Sequence, residues 1–227
     1  MISILKFKEE GDFFILSKGH AASALYTILN EIGEIPDKIM DSFYKNATTL
    51  PAHPAARKYK SIPFATGSLG HGLPLATGIA KAKKLKKEGG ISYVLMSDGE
   101  TNEGTTWEAA HFAVSSRLDN LIVIIDKNGL QGFGSTKDIL GDTAGAKIWD
   151  AIGFDVLEAD GHDIDQLLGA KKQLKQLTNG KPKLIVANTV KGKGVPHMEN
   201  RMEWHYLPMD ETMFQRAIEK IKLDYEC

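Results

Sequence analysis

Two side chains stand out as able to do chemistry together. Asp98 follows the apolar run Ile91 to Met96, and Asn128 follows the run Leu121 to Ile125. Both runs are rich in β-branched residues and read as buried strands of a parallel sheet. An acid and an amide at two strand ends place oxygen donors at the carboxyl edge, where open α/β sheets take their ligands. Such donors suit a hard cation, Mg2+ or Ca2+. Gly99 lets backbone approach a ligand closely. A helix opening near Gly104 and running through Trp107, Ala110 and His111 offers an N-terminus that accepts an anion. A cation beside a helix N-terminus describes a metal-diphosphate site. Alone the pair is a weak signal, because strand-end acids are also common caps and turn formers.

The elements that must position these residues follow from hydrophobic spacing. Phe13 to Leu16 reads as a short strand, broken by Gly19. Ala21, Leu25, Ile28 and Leu29 give Ala21 to Ile32 helical spacing, so His20 sits at a strand-to-helix junction. On its own such a His is more often a capping or packing residue. Pro36 to Tyr44 reads as a short helix with Pro in its first turn. His53 stands in a loop beside Pro54, and the glycines at 67, 70 and 72 demand unusual backbone or close approach. A helix from Leu73-Pro74 to Lys87 is stopped by Gly89-Gly90. Its lysines at 81, 83, 84, 86 and 87 read as a solvated helix end, since cations favour C-termini. Gly129 to Gly134 reads as a turn, Phe154 to Ala159 and Lys183 to Val190 as strands. Asp163 to Leu177 and Met209 to Ile221 read as helices, the last amphipathic.

Composition narrows the class. A chain of 227 residues with 42% hydrophobic and 25% charged content suits one large α/β domain. The net charge of −1 gives no electrostatic case for nucleic acid or membrane binding. The single cysteine, Cys227, excludes an internal disulfide framework or a Cys-based zinc site, and a reducing cytoplasm is the simplest setting. No apolar run reaches the length of a membrane span.

Taken in order, several stretches resemble the N-terminal half of transketolases, most of all the split form in which two chains supply the two halves. They are Asp12 to His20, Ala52-His53-Pro54, Thr66 to Gly72, Asp98-Gly99-Glu100 with Glu103-Gly104 and Asn128, and Lys191 through Met198-Glu199-Asn200 to Trp204-His205. The resemblance implies a three-layer, doubly wound, mostly parallel α/β sheet, with residues 1–227 as a single diphosphate-binding domain. It implies thiamin diphosphate with Mg2+ or Ca2+. The metal ligands would be Asp98, Asn128 and the Leu130 backbone carbonyl. His20, Gly67, Ser68, Leu69, Asp98, Gly99, Glu100, Asn128 and His205 would face the cofactor. His20, His53 and His205 would orient hydroxyls and move protons, and Glu103 would serve a proton network near a subunit junction. Four positions depart from the family pattern: Ala52 and Ser97 replace Gly, His71 replaces Gln, and Tyr206 replaces Gly.

The family's upstream helix with a Ser-Gly-His-Pro-Gly type motif, and its pyrimidine-binding half, have no counterpart in this sequence. The expectation is a cytoplasmic subunit, active only with a C-terminal-half partner chain, in an α2β2 heterotetramer. It would move a two-carbon ketol unit from a ketose to an aldose, with a sugar or sugar phosphate as substrate. Two alternatives stay open at this point: a thiamin diphosphate-dependent decarboxylase or carboligase acting on a ketoacid, and a degenerate, non-catalytic partner subunit.

Overall fold

The computed structural model describes residue 1 and residues 8–225. In chain order the strands are β1 (Phe13–Leu16), β2 (Ser92–Ser97), β3 (Leu121–Lys127), β4 (Leu130–Gln131), β5 (Gly134–Ser135), β6 (Asp155–Asp160) and β7 (Lys183–Asn188). The helices are α1 (Ala22–Glu31), α2 (Asp37–Met40), α3 (Gly72–Lys86), α4 (Gly104–Ser115), α5 (Thr136–Leu140), α6 (Ala146–Ile152), α7 (Ile164–Gln176) and α8 (Glu211–Tyr225). Five strands make one sheet in the order β1-β2-β3-β7-β6, and every pairing in it is parallel. Among the described residues the antiparallel component is confined to the small β4–β5 hairpin. All five parallel strands therefore present their carboxyl ends to one edge.

Alternation along the strands explains why helices cover both faces. Val94 and Met96 of β2 join Val123, Ile125, Leu184 and Val186 on one face, packed against Leu73, Ala76 and Ala80 of α3 and Ala110 and Ala113 of α4. The small alanines let these helices lie close to the sheet. Tyr93 and Leu95 point the other way, into a cluster with Leu25, Tyr26 and Leu29 of α1 and Leu174 of α7. Met96, Val123, Ile125 and Leu184 are each 0% exposed. Burial of each such side chain favours the fold by roughly 1.5–3 kcal/mol. Among the described residues no helix is long and apolar enough to cross a membrane.

Several elements differ from their sequence-based expectation for local reasons. The expected helix over Pro36 to Tyr44 shrinks to α2 and gives way after Asp41 to turns, in which Tyr44 takes a left-handed conformation. Helix α3 ends before Gly89-Gly90, with Lys87 itself left-handed at φ 59°. The expected turn over Gly129 to Gly134 is the approach to and body of the β4–β5 hairpin. The terminal helix starts at Glu211 rather than Met209 and runs on to Tyr225. Helices α5 and α6 have no counterpart in the expected pattern. Helix α6 is held by Trp149, fully buried beside Phe154, a tertiary contact that overrides weak local propensity.

Candidate functional site

At the end of β2 the chain tightens into a 3-10 turn, Gly99–Asn102, and Asp98 caps it. The Asp98 carboxylate is pinned from two sides. Oδ1 accepts from the Gly99 amide at 2.8 Å and Oδ2 from the Gly129 amide at 2.6 Å. Asp98 is 1% exposed. Its burial raises the carboxyl above its usual range, against the two backbone bonds that lower it. At the end of β3, Asn128 Oδ1 accepts from the Leu130 amide at 3.0 Å, which turns the chain into β4. Asp98, Asn128 and Leu130 thus converge through the Gly129 bond.

Among the described residues no three His, Cys, Asp or Glu side chains gather as a metal site. What is present is one carboxylate, one side-chain amide and a neighbouring backbone unit. That hard-oxygen set fits a cation such as Mg2+, which keeps few protein ligands and takes the rest from phosphate and water. Each Asp98 oxygen has spent one acceptor position on the backbone and retains another.

The glycine loop before α3 is clamped beside this turn. Glu100, 0% exposed, turns its carboxylate away from the cavity. It accepts from the Ser17 hydroxyl and from the Gly70 amide at 2.8 Å. Ser17 Oγ in turn accepts from the Gly72 amide at 3.0 Å. Burial raises the Glu100 carboxyl above its ordinary value, opposed by the Ser17, Gly70 and Ser97 hydrogen bonds. On the other side, Thr105 donates to the Gly70 carbonyl at 2.9 Å. Gly70 sits at φ +80°, and a Cβ there would meet Thr105 Oγ1 at 2.5 Å and Glu103 Cβ at 2.6 Å. Only glycine fits both the backbone and the space.

A cavity of about 530 Å³ opens over this floor, lined by Lys18, His20, Gly67, Leu69, Gly99, Glu103, Asn128, Leu130, Lys191, His205 and Tyr206 among others. His20 lies in a 3-10 turn after β1, with its ring 5.4 Å from that of His205. Partial burial of the ring, then Lys18, His205, Lys191 and His53, lower the His20 pKa to about 4. Burial followed by Lys191 and Lys18 lowers His205 as well, and among the described residues His205 Nδ1 is buried without a hydrogen-bond partner. Both imidazoles are therefore neutral near pH 7 and free to accept protons. Lys18 pairs with Asp126, which also accepts from the Thr189 hydroxyl. Burial works to raise the Asp126 carboxyl, but Lys18, Thr189 and Asn128 outweigh it and hold it below its usual range. Burial lowers Lys191, with Lys18 adding to it.

The structure thus brings most of the expected residues into one cavity. Asp98 lies just beneath its floor. His53 and Ser68 line an adjoining cleft that shares Gly67, and the His53 ring packs against Gly67. Glu100 stands apart: its side chain is spent beneath the site, so any contact with a ligand falls to its backbone or to Gly99. Lys18, Lys191 and Tyr206 join the site without having been expected there. Lys18 and Lys191 do sit inside the family-like stretches, and two cations beside a diphosphate pocket were the available signal.

A family model described as transketolase, thiamine diphosphate binding domain, matches residues 7–226. One subunit of the apulose-4-phosphate transketolase of Actinobacillus succinogenes is 42% identical over 213 residues, 94% of this chain and 76% of that relative. The 6-deoxy-6-sulfo-D-fructose transketolase subunit SqwG of a Clostridium species is 37% identical over 94% of this chain and 77% of its own length. Among solved structures, transketolase from Campylobacter jejuni superposes with a TM-score of 0.82 at 30% identity, covering 92% of this chain. The chain spans 34% of the length of that solved transketolase.

Proposed function

The chain belongs to the transketolase family, and from that premise we propose that it is the diphosphate-binding subunit of a two-chain, thiamin diphosphate-dependent transketolase. The observation that carries this reading is the convergence of Asp98, Asn128 and Leu130 beneath a cavity walled by His20, His205, Lys18 and Lys191. Asp98 and Asn128, with the Leu130 carbonyl, would hold Mg2+. Lys18, Lys191 and the backbone at Gly67 would meet the diphosphate oxygens. Bound there, thiamin diphosphate supplies the electron sink for breaking and forming the ketose carbon–carbon bond.

The remaining work belongs to the side chains. His20 and His205 face each other as neutral imidazoles and would accept and return hydroxyl protons of the sugar. His53, reaching along Gly67 from the next cleft, would orient a donor hydroxyl. Glu103, exposed at the start of α4, would face a neighbouring subunit. The pyrimidine-binding half would come from a C-terminal-half partner chain, in an α2β2 assembly. Two relatives are named for sugars carrying a phosphate or a sulfonate, which supports a ketose donor with an anionic end.

The test is reconstitution with a candidate partner chain, thiamin diphosphate and Mg2+, supplied with a phosphorylated ketose and an aldose. Formation of an aldose shortened by two carbons and a ketose lengthened by two supports the reading. Release of carbon dioxide from a ketoacid instead would replace it with a decarboxylase. No turnover with an intact cofactor site would point to a non-catalytic subunit.

A further inference from the structure

Tyr206 stands directly after His205, where the transketolase pattern has Gly. Its backbone leaves the short 3-10 turn Met202–His205, and its side chain crosses to the other side of the cavity. The hydroxyl donates to the Gly132 carbonyl at 2.5 Å, a contact between residues 74 positions apart. The Tyr206 and His205 rings meet edge to face, with centroids 4.9 Å apart. Gly132 lies at the tip of the β4–β5 hairpin, just beyond Leu130 and Gln131. A Cβ at Gly132 would stand 2.5 Å from the Tyr206 hydroxyl and 3.9 Å from His205 Nε2. The hydroxyl and the missing side chain are therefore a matched pair.

Among the described residues, the other hydrogen bonds that anchor the hairpin lie away from its tip. Gln131 Oε1 accepts from Asn102 at 2.9 Å, and the Thr136 amide donates to the Gly129 carbonyl at 3.0 Å to close the base. The tip itself projects Phe133 into solvent, 89% exposed. On the facing side, the segment that carries His205 folds on itself. Trp204 donates to the His197 carbonyl at 2.7 Å, and the Asn200 amide donates to the Lys191 carbonyl at 2.9 Å. Tyr206 is the strut between these two irregular segments. One of them carries the proposed metal-side residue Leu130, and the other carries His205 and Lys191.

We propose that Tyr206 is a positioning residue whose hydroxyl latches the hairpin tip to the His205 segment, so that Leu130 and His205 are held as one wall of the cavity. The consequence for ligand rests on the transketolase reading, whereas the latch is a property of the bare chain.

Hydrogen exchange of the full chain, resolved to the hairpin, tests the latch without any cofactor. Tyr206→Phe deletes one oxygen and leaves the ring beside His205. It should speed exchange across residues 130–135 by about threefold to tenfold, the loss of one ordinary hydrogen bond, with exchange through local openings elsewhere in the chain unchanged. Gly132→Ala should do the same from the other end, by driving a methyl into the hydroxyl. The double variant should exchange no faster than either single one, because the oxygen that the methyl struck is gone. Unchanged exchange in Tyr206→Phe, or effects that simply add, overturns the latch.

Calorimetry with thiamin diphosphate and Mg2+ on the assembled complex then tests positioning. Tyr206→Phe should weaken binding by a similar factor and raise the donor KM more than it lowers kcat. Faster exchange with unchanged affinity and KM overturns the positioning role. Failure of the unaltered complex to bind thiamin diphosphate would sink the transketolase reading, and the exchange experiment would still decide the latch.

Discussion

The floor of the cavity and its lip hold their residues by opposite means. On the floor, Asp98 is 1% exposed and Glu100 and Thr101 are 0% exposed. Their polar atoms are matched by backbone amides and buried hydroxyls: Gly99 and Gly129 for Asp98, Ser17 and Gly70 for Glu100. At the lip, Phe133, Leu140 and Tyr206 are exposed, and the hairpin that carries Phe133 is tied to the segment that carries Tyr206 through the Tyr206–Gly132 hydrogen bond. The floor continues the parallel sheet, whose ladder reaches it through the Asp98 amide bonded to the Asp126 carbonyl. The lip is loop and hairpin. A cation site needs fixed oxygens and takes them from the rigid part. Substrate entry needs a wall that can give, and loops supply it.

The comparison is broken most severely if the floor tolerates loss of a buried partner. Glu100→Ala strands the Ser17 hydroxyl and the Gly70 amide without water. It should cost about 2–4 kcal/mol of stability, read from urea unfolding. A loss within the range of a surface substitution would mean that the clamp under the glycine loop is not structural.

Next comes His205→Ala, which removes a side chain from the lip side. In the reconstituted enzyme, kcat/KM should fall by about 10²–10³, while the urea midpoint of the isolated chain barely moves. A parallel fall in stability would place His205 with the floor instead.

A smaller effect concerns pH. The His20 pKa is lowered to about 4 in the folded chain, below its unfolded value, so the unfolded chain binds more protons in between. Stability from this group is fully present above about pH 6.5 and is lost as pH falls toward 4. The ring keeps contact with solvent, which keeps the slope shallow. His20→Gln should flatten the slope of unfolding free energy across that window. An unchanged slope would mean that the ring is not held neutral.

The smallest effect is expected at the hairpin tip. Phe133→Ser should alter stability by no more than about 0.5 kcal/mol, since the ring is already in water. A larger loss would show the tip packed against something.

Much of the floor was readable because a strand writes its end into the sequence. The apolar runs before Asp98 and Asn128 stop at an acid or amide in a turn, and β1 occupies Phe13 to Leu16 as its pattern predicts. The lip was harder to read. Glycines at 129, 132 and 134 suggested a turn but not a hairpin, which Asn102 and Tyr206 anchor from elsewhere in the chain. Glu100 illustrates a different limit. It is two residues from Asp98, yet the intervening 3-10 turn sends the two carboxylates to different places, one beneath the cavity and one under the glycine loop. Side-chain direction in a tight turn is set by tertiary bonds, here to Ser17 and Gly70, that local sequence does not display.

The central claim is that Asp98 holds a cation for a diphosphate, and calorimetry tests it most directly. Thiamin diphosphate would be titrated with Mg2+, and again with a chelator, into the complex formed with a candidate partner chain, using the unaltered chain and Asp98→Asn. The account predicts Mg2+-dependent binding that weakens by about a hundredfold or more in Asp98→Asn, an affinity loss near 2.7 kcal/mol. Equal affinity in the two proteins, or binding indifferent to the chelator, would contradict it.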